Sequence, residues 1–211
     1  MNNYELKISD LSKRFGRRII FEKINFEFSS GNIYGISGPN GSGKSTLVKI
    51  LANLISQNSG EINHFINSEK IPAEKIFEHL GFVSPYLVLY DEFSAEENIK
   101  ISENVRNLKF DKERVDEFFQ IVGLYNRKKD LVGTYSSGMK QRLKYVFALA
   151  HNPEFVIFDE ATANLDDEGK EKVLNLIEVL GRDRLVILAS NEKQELDLCG
   201  KVISLNDFKR K

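Results

Sequence analysis

The stretch GPNGSGKST, residues 38–46, decides how the rest of the sequence is interpreted. It fits the pattern G-x-x-x-x-G-K-[ST] and lies between a strand-like segment, NIYGIS, and a helix-like segment, STLVKILANLI. Gly38, Gly41 and Gly43 allow the backbone to turn tightly and to direct N–H groups at phosphate oxygens, and a helix N-terminus adds partial positive charge. The stretch therefore predicts a phosphate-binding loop between a strand and a helix.

The side chains of this loop have predictable roles. Lys44 is expected to reach the β- and γ-phosphates of a nucleotide as a point charge, and the Ser45 hydroxyl is expected to ligate Mg²⁺. The remaining loop residues are expected to surround the phosphates: Gly38, Pro39, Asn40, Gly41, Ser42, Gly43 and Thr46.

A phosphate loop needs a second group that faces magnesium, and the segment FVIFDE supplies one at the end of a buried strand. Asp159 is placed to hold Mg²⁺, directly or through water, and Glu160 to accept a proton from the attacking water. The alternative is that the two acids merely begin a solvated turn. The presence of a phosphate loop in the same chain argues against this alternative.

The remaining patterns predict an α/β fold. YELKISDLS and the alternating residues 19–28 predict strands with one solvated face, which favours antiparallel pairing. Short apolar strands at 154–159, 184–190 and 201–206 alternate with helical segments, which favours a parallel sheet covered by helices. A mostly helical block at about 86–150 interrupts them. The prediction is a mainly parallel core sheet with an N-terminal antiparallel β part and an inserted helical subdomain.

Two helix starts are predicted inside the helical block. Ser94 with Glu97 has the spacing of a capping box, and Asp111 is a suitable N-cap for DKERVDEFFQIVGL. We expect a helix to begin after each of these residues.

Composition limits the classes of protein that fit. The chain has 211 residues with 41% hydrophobic content, enough for a single domain over residues 1–211. Its apolar runs are far shorter than the roughly 18 to 20 residues that cross a bilayer, and the single Cys199 excludes a disulfide framework. The 30 basic and 31 acidic residues nearly cancel, so charge gives no argument for nucleic-acid binding. We expect a cytoplasmic protein with no membrane insertion and no nucleic-acid partner.

With these motifs in this order, the sequence resembles the ATP-binding subunits of ABC transporters over about residues 4–206. The most specific element is YSSGMKQRL, which resembles the family signature usually written L-S-G-G-Q, with Ser136 and Gly138 at matching positions. The departures from that spelling are Tyr135, Ser137 and Met139. Read alone, the stretch predicts a helix N-cap. The resemblance implies a second anion site, in which Ser136, Ser137 and Gly138 contact the nucleotide.

Two weaker matches extend the resemblance. Phe15 in LSKRFG falls where the family places an aromatic residue that stacks on adenine, although a lone Phe is more often a core residue. ATANLD resembles the loop after the catalytic acid that communicates between two subunits, with Asp166 as the best match. A solvated loop is the alternative for ATANLD.

Two positions depart from the family pattern. The family usually carries a Gln at the end of a strand that enters the helical subdomain, but no Gln occurs between Gln57 and Gln120. The stretch GFVSP puts Pro85 or Ser84 at that place, so the contact is lost, moved to Ser84 or replaced by water. Asn191 stands where the family usually has a histidine beside the γ-phosphate. The alternative for Asn191 is that it caps the following helix.

The resemblance implies an ATPase that uses ATP and Mg²⁺, with Lys44, Glu160 and Asn191 in catalytic roles. It also implies a head-to-tail pair of subunits, for which a homodimer is the simpler expectation and a heterodimer stays open. A separate membrane-spanning permease would hold the pair at the cytoplasmic face of a membrane, with a lean towards export. The alternatives are a soluble ABC ATPase of the assembly-factor type and a regulatory ATP-gated module that hydrolyses ATP slowly.

Overall fold

The computed structural model of the chain describes residues 2–209. The strands are β1 Tyr4–Phe15, β2 Arg18–Ser29, β3 Asn32–Ser37, β4 Ser59–Ile66, β5 Glu69–Lys70, β6 Leu80–Val83, β7 Phe155–Asp159, β8 Leu185–Ala189 and β9 Lys201–Ser204. The α-helices are α1 Lys44–Leu51, α2 Ile76–His79, α3 Ala95–Val105, α4 Lys112–Ile121, α5 Ser137–Leu149, α6 Asp167–Gly181 and α7 Lys193–Leu196. Short 3₁₀-helices lie at Ala73–Lys75, Tyr125–Arg127, Val132–Thr134 and Leu205–Phe208. None of the helices found in residues 2–209 has both the length and the apolar character that a membrane span needs.

The N-terminal part of the chain forms an antiparallel sheet in the order β2-β1-β4-β5. β1 pairs with β2 on one side and with β4 on the other, both antiparallel. The predicted antiparallel β part is therefore confirmed. The β4–β5 hairpin is an addition to the prediction, and its turn residues Asn67 and Ser68 have positive φ angles of +50° and +70°, as a two-residue hairpin turn of type I′ requires.

The remaining strands form a sheet in the order β6-β7-β8-β3-β9, in which every neighbouring pair is parallel. The predicted mainly parallel core sheet is confirmed, and β3 belongs to this sheet rather than to the antiparallel one. Because the strands are parallel, their carboxyl ends meet at one edge, which is where sheets of this kind bind ligands.

The parallel sheet separates two apolar cores. Along β7, Val156 and Phe158 pack into the core formed with the helical block and α6, whereas Phe155 and Ile157 pack into the core formed with the antiparallel sheet and α1. Because both faces are covered, β7 and β8 are uninterrupted apolar runs. At roughly 1.5 to 3 kcal/mol for each large apolar side chain removed from water, these strands contribute strongly to stability.

The helices α3, α4 and α5 lie between β6 and β7 in the chain and supply the predicted helical block. The capping box is confirmed, because Ser94 Oγ accepts a hydrogen bond from Glu97 N at 3.2 Å and Glu97 Oε2 accepts one from Ser94 N at 2.8 Å. Asp111 Oδ1 accepts from Arg114 N at 3.1 Å, which confirms the second predicted cap. Residues 84–93, at the start of the block, contain neither helix nor strand.

Candidate active site

The phosphate-binding loop connects β3 to α1 at the carboxyl edge of the parallel sheet. Gly38, Gly41 and Gly43 have positive φ angles of +149°, +74° and +109°. A Cβ atom on Gly43 would lie 2.3 Å from Ile20 Cγ2, and one on Gly38 would lie 2.8 Å from Ser42 Oγ. The path of the loop therefore requires glycine. Because Gly43, the N-cap of α1, has no side chain, it leaves the first N–H groups of the helix free to bind an anion.

Lys44 is the first residue of α1, and its side chain lies over the loop. Its Nζ atom donates a hydrogen bond to the carbonyl oxygen of Gly38 at 2.7 Å. Burial lowers the pKa of Lys44 below its ordinary value, and the nearby carboxylates of Glu160 and Asp159 oppose that shift. The ammonium group is thus held at the loop, beside two acids.

Ser45 and Asp159 meet at the same edge. The Ser45 hydroxyl donates a hydrogen bond to Asp159 Oδ1 at 3.0 Å. Asp159 is 1% exposed, and burial raises its pKa, whereas the hydrogen bond from Ser45 lowers it. The buried Asp159 Oδ2 has no hydrogen-bond partner within the described residues, which is costly unless a ligand supplies one.

This donor set fits a magnesium ion. Mg²⁺ takes oxygen ligands, and it is usually bound by one or two protein groups together with substrate phosphates rather than by a cluster of protein side chains. The Ser45 hydroxyl and the unpaired Asp159 oxygen are such groups. Across residues 2–209 there is no group of three or more His, Cys, Asp or Glu side chains arranged to hold a metal.

Glu160 follows β7 in an unusual backbone conformation. Its φ angle is +56°, in the left-handed region that side chains disfavour, and Asn164 has a φ angle of +61° in the same loop. The Glu160 N–H donates to the carbonyl oxygen of Ala189, at the end of β8, at 3.0 Å. Its side chain is exposed. Strained residues of this kind persist where the surroundings impose the conformation, which is common at functional sites.

A cleft of about 390 Å³ brings together Lys44, Glu160 and Asn191. Asn191 lies beyond β8, and its Nδ2 atom donates to Asn40 Oδ1 of the phosphate loop at 3.0 Å. The alternative interpretation of Asn191 as a helix cap is wrong, because the N-cap of α7 is Glu192. The cleft thus joins the phosphate loop to the ends of β7 and β8.

The stretch YSSGMKQRL forms the start of α5. Ser136 is its N-cap, and Ser136 Oγ accepts a hydrogen bond from Met139 N at 3.2 Å, so the predicted cap is confirmed. Ser136 and Ser137 are exposed. Tyr135 is buried, and its hydroxyl donates to the carbonyl oxygen of Arg127 at 2.7 Å, which explains how this departure from the signature is accommodated. Among the described residues that line the cleft, none comes from this stretch.

A family model for the ABC transporter matches residues 21–163. The chain belongs to the ABC transporter family. The resemblance drawn from the motifs is confirmed, and so is the predicted α/β fold of the ABC type. The matched range includes the phosphate loop, Asp159, Glu160 and the signature-like stretch.

Relatives within the ABC family agree with this assignment. The chain is 35% identical to the bacitracin transport ATP-binding protein BcrA of Bacillus licheniformis, over 87% of this chain and 60% of that protein. It is 33% identical to the lantibiotic transport ATP-binding protein SrtF of Streptococcus pyogenes, over 96% of this chain and 84% of that protein. A dimeric ATP-binding cassette in a post-hydrolysis state, with ADP and Pi bound, shares the fold with a TM-score of 0.81 and 23% identity, over 94% and 93% of the two chains.

The position of the missing family Gln lies directly after β6. Ser84 is buried, and its Oγ atom accepts a hydrogen bond from Tyr86 N at 3.3 Å. The carbonyl oxygens of Ser84 and Pro85 accept hydrogen bonds from Lys144 Nζ at 3.2 Å and 2.8 Å. The Ser84 hydroxyl is thus engaged in its own turn, and a lysine of α5 holds the backbone. No sequence pattern pointed to this role of Lys144, which is a charged residue between buried Leu143 and Tyr145.

The two weaker matches to the family pattern are Phe15 and Asp166. Phe15 ends β1 and is 53% exposed, so it is not a core residue, and Lys13 Nζ lies 4.8 Å from its ring centroid. Asp166 is the N-cap of α6, and its Oδ1 atom accepts from Gly169 N at 3.0 Å. Asp166 is therefore a helix cap and not simply part of a solvated loop. Its position before a helix-like segment could have indicated this structural role.

Among the residues that line the cleft are two whose contact with each other was not predicted from the sequence. Thr162, in the loop after Glu160, and Glu195, in α7, both line it. They form hydrogen bonds with each other across 33 positions of sequence. No local pattern marks such a pair, because the contact depends on how β7 and β8 are packed side by side.

Proposed function

We propose that the chain binds Mg-ATP in this cleft and hydrolyses ATP as the ATP-binding subunit of an ABC transporter. The observation that carries the proposal is the convergence of Lys44, the Ser45–Asp159 pair and Glu160 at one edge of a parallel sheet. The family assignment and the relatives named for bacitracin and lantibiotic transport support it.

The residues of the loop bind the phosphates in this proposal. Lys44 leaves the carbonyl oxygen of Gly38 and contacts the β- and γ-phosphates, while Ser45 and Asp159 hold Mg²⁺. The rest of the loop surrounds the phosphates. Pro39 has no N–H group, and backbone N–H groups come from Gly38, Asn40, Gly41, Ser42, Gly43 and Thr46. When bound, the magnesium ion neutralises charge on the phosphates. The exposed ring of Phe15 offers a face for adenine.

Glu160 and Asn191 act on the water and the γ-phosphate. The exposed carboxylate of Glu160 accepts a proton from the attacking water. The Asn191 amide, which is hydrogen-bonded to Asn40 of the phosphate loop, donates a hydrogen bond to the γ-phosphate. Both side chains line the same cleft as Lys44, which supports these assignments.

The proposal includes a second copy of the chain. Ser136, Ser137 and Gly138 begin a helix whose N–H groups and serine hydroxyls suit an anion, but they lie outside the cleft. We propose that they contact the ATP held by a partner subunit, with Asp166 communicating between the two. The unit that pairs is one ABC domain over residues 1–211, with a helical subdomain at about 86–150.

A membrane-spanning permease is the second proposed partner. Large apolar side chains are exposed in residues 84–93, at the start of the helical block, and in the helices α2 and α3. They are Phe77, Tyr86, Val88, Tyr90, Phe93 and Val105. Such a cluster is typical of a protein-binding surface. Attachment there would hold the chain at the cytoplasmic face of a membrane, and we propose export as the direction of transport.

The second candidate function is an ATP-gated module that hydrolyses slowly. The observation that favours it is the loop after β6, where Pro85 has no polar side chain and the Ser84 hydroxyl is already bonded to Tyr86. Within the described residues 84–93, which follow β6, there is no glutamine side chain to orient a water.

Replacement of Lys44 with Ala tests the proposed function. We expect turnover to fall by about 10²-fold or more and nucleotide binding to weaken, because a charge aimed at the phosphates is removed. Phosphate release and titration with a fluorescent ATP analogue measure the two effects, and Lys112→Ala on the surface of α4 is the control. Unchanged binding and turnover would contradict the proposal. A parent rate far below about 1 s⁻¹ with intact binding would favour the slow module.

A further inference from the structure

The loop that follows Glu160 is held by a buried carboxylate on a neighbouring helix. Glu195 lies in α7, and it is 1% exposed. Its Oε1 atom accepts hydrogen bonds from Thr162 N at 2.8 Å and from Thr162 Oγ1 at 2.6 Å. Since Thr162 comes two residues after Glu160, this carboxylate fixes the backbone next to the proposed base.

That backbone needs external support because its conformation is strained. Glu160 has a φ angle of +56°, in the left-handed region that a glutamate seldom adopts unless its surroundings impose it, and Asn164 in the same loop has a φ angle of +61°, which asparagine tolerates better. The support comes from neighbouring elements. The carbonyl oxygen of Ala189 in β8 accepts from Glu160 N, and the Tyr145 hydroxyl of α5 donates to the carbonyl oxygen of Ala161. The Glu195 carboxylate of α7 adds hydrogen bonds to Thr162, the residue that follows Ala161.

The second oxygen of the carboxylate indicates that this pair is not arranged for stability alone. Glu195 Oε2 is buried and lacks a hydrogen-bond partner in the described part of the chain, which costs free energy relative to a fully paired group. The same side chain lines the cleft with Lys44, Glu160 and Asn191. A buried acid kept beside the cleft at this cost calls for a functional explanation.

We infer that Glu195 is a positioning residue for ATP hydrolysis. By binding Thr162, it fixes the carboxylate of Glu160 relative to the phosphate loop and links that loop to the segment that carries Asn191. The inference rests on the proposed function. Because Glu195 acts through Thr162 and Glu160 rather than on the nucleotide, its loss should affect kcat and leave ATP binding intact.

Substitutions of Glu195 separate this role from a purely structural one. Glu195→Ala is expected to lower kcat by about 10²-fold, the effect of a small misplacement of a catalytic group, and to change the KM for ATP by less than about threefold. Glu195→Gln keeps an acceptor oxygen in the same place and should retain most of the activity. Asp197→Asn, at an exposed acid directly after α7, is the matched control and should match the parent.

Amide hydrogen exchange at Thr162 gives a readout that does not depend on turnover. The Thr162 amide should be protected in the parent and in Glu195→Gln and should exchange faster in Glu195→Ala, while the Ile157 amide in β7 reports that the sheet is intact. A parent without ATP turnover would contradict the proposed function, and the exchange data would still test the contact. A kcat of Glu195→Ala within about twofold of the parent, or unchanged protection of Thr162, would overturn the inference.

Discussion

Asn191 and Asn40 contact each other across the cleft, although 151 positions of sequence separate them. Asn191 Nδ2 donates to Asn40 Oδ1 at 3.0 Å, from the loop after β8 to the phosphate loop. The same N–H group can donate to a γ-phosphate oxygen as a neutral histidine would, but an amide gains no proton in the physiological range. The phosphate contact proposed for Asn191 should therefore not depend on pH.

Asn191→Ala is expected to slow turnover by about 10- to 10²-fold, the effect of losing one hydrogen bond to a charged group. The thermal midpoint should stay close to that of the parent, because Glu192 rather than Asn191 is the N-cap of α7. Asn191→His should retain activity and add a pH dependence near the ordinary histidine pKa of about 6.5. The rate and the midpoint are measured on the same preparations, with Asn104→Ala on the exposed side of α3 as the control. A normal turnover rate in Asn191→Ala would show that this side chain has no role in ATP hydrolysis.

At the scale of elements, α5 connects the signature-like stretch to the strand edge beside β7. Its N-terminus carries Ser136, and farther along the helix Lys144 Nζ donates to the carbonyl oxygens of Ser84 and Pro85. These carbonyls directly follow β6, which pairs in parallel with β7. Lys144 is partly buried, and the loss of hydration lowers the pKa of its ammonium group below the ordinary value. A movement of α5 should therefore carry the loop after β6 with it.

Lys144→Met keeps most of the apolar stem and removes the charged donor. The free energy of unfolding should fall by about 1 to 2 kcal/mol, because two carbonyl oxygens lose their hydrogen-bond partner. Lys144→Arg keeps donors at this place and should be closer to the parent. Lys172→Met, which removes an ion pair with Glu168 on α6, is the control and should cost about 0.5 kcal/mol or less. The free energy of unfolding is measured by urea denaturation. If both Met variants lost the same amount of stability, the contacts of Lys144 with the carbonyl oxygens would have no stabilising effect.

The elements that sequence predicted best are those whose signals are local. The capping box at Ser94 and the cap at Asp111 depend on residues three positions apart, and both are present. The apolar runs of β7 and β8 reflect burial on both faces of one sheet. The β4–β5 hairpin escaped prediction because β5 has two residues and its turn uses Asn67 and Ser68 rather than glycine. A weak alternation next to an unusual turn carries little information.

The same contrast applies within the cleft. The phosphate loop could be predicted because its glycines, Lys44 and Ser45 act within one short stretch. The contact of Asn191 with Asn40 and that of Glu195 with Thr162 could not, because each depends on which strands become neighbours in the sheet. Strand order is a property of the whole fold, and single-sequence patterns do not contain it.

At the scale of the whole molecule, the phosphate loop and the signature-like helix start do not share a site. The cleft residues come from the phosphate loop, the loops after β7 and β8, and the elements that follow them, while Ser136 and Ser137 face solvent elsewhere. Each copy of the chain would thus supply one half of a nucleotide site. A symmetric head-to-tail pair would complete two sites at once, since the same surfaces are used on both copies.

Glu160→Gln should make that pairing visible. Loss of a general base costs roughly 10² to 10⁴ in rate, whereas Lys44 and the Ser45–Asp159 pair, which we propose to hold Mg-ATP, are unchanged. ATP therefore stays bound, and a dimer of the 24.2 kDa chain should accumulate with Mg-ATP and dissociate without it, as measured by size-exclusion chromatography with light scattering. Adding Lys44→Ala to this variant should return it to a monomer, because the dimer requires bound nucleotide. Hydrolysis at the parent rate would place the base at another residue. An ATP-bound monomer would argue against a homodimer and would direct the search to a different ATPase subunit as the partner.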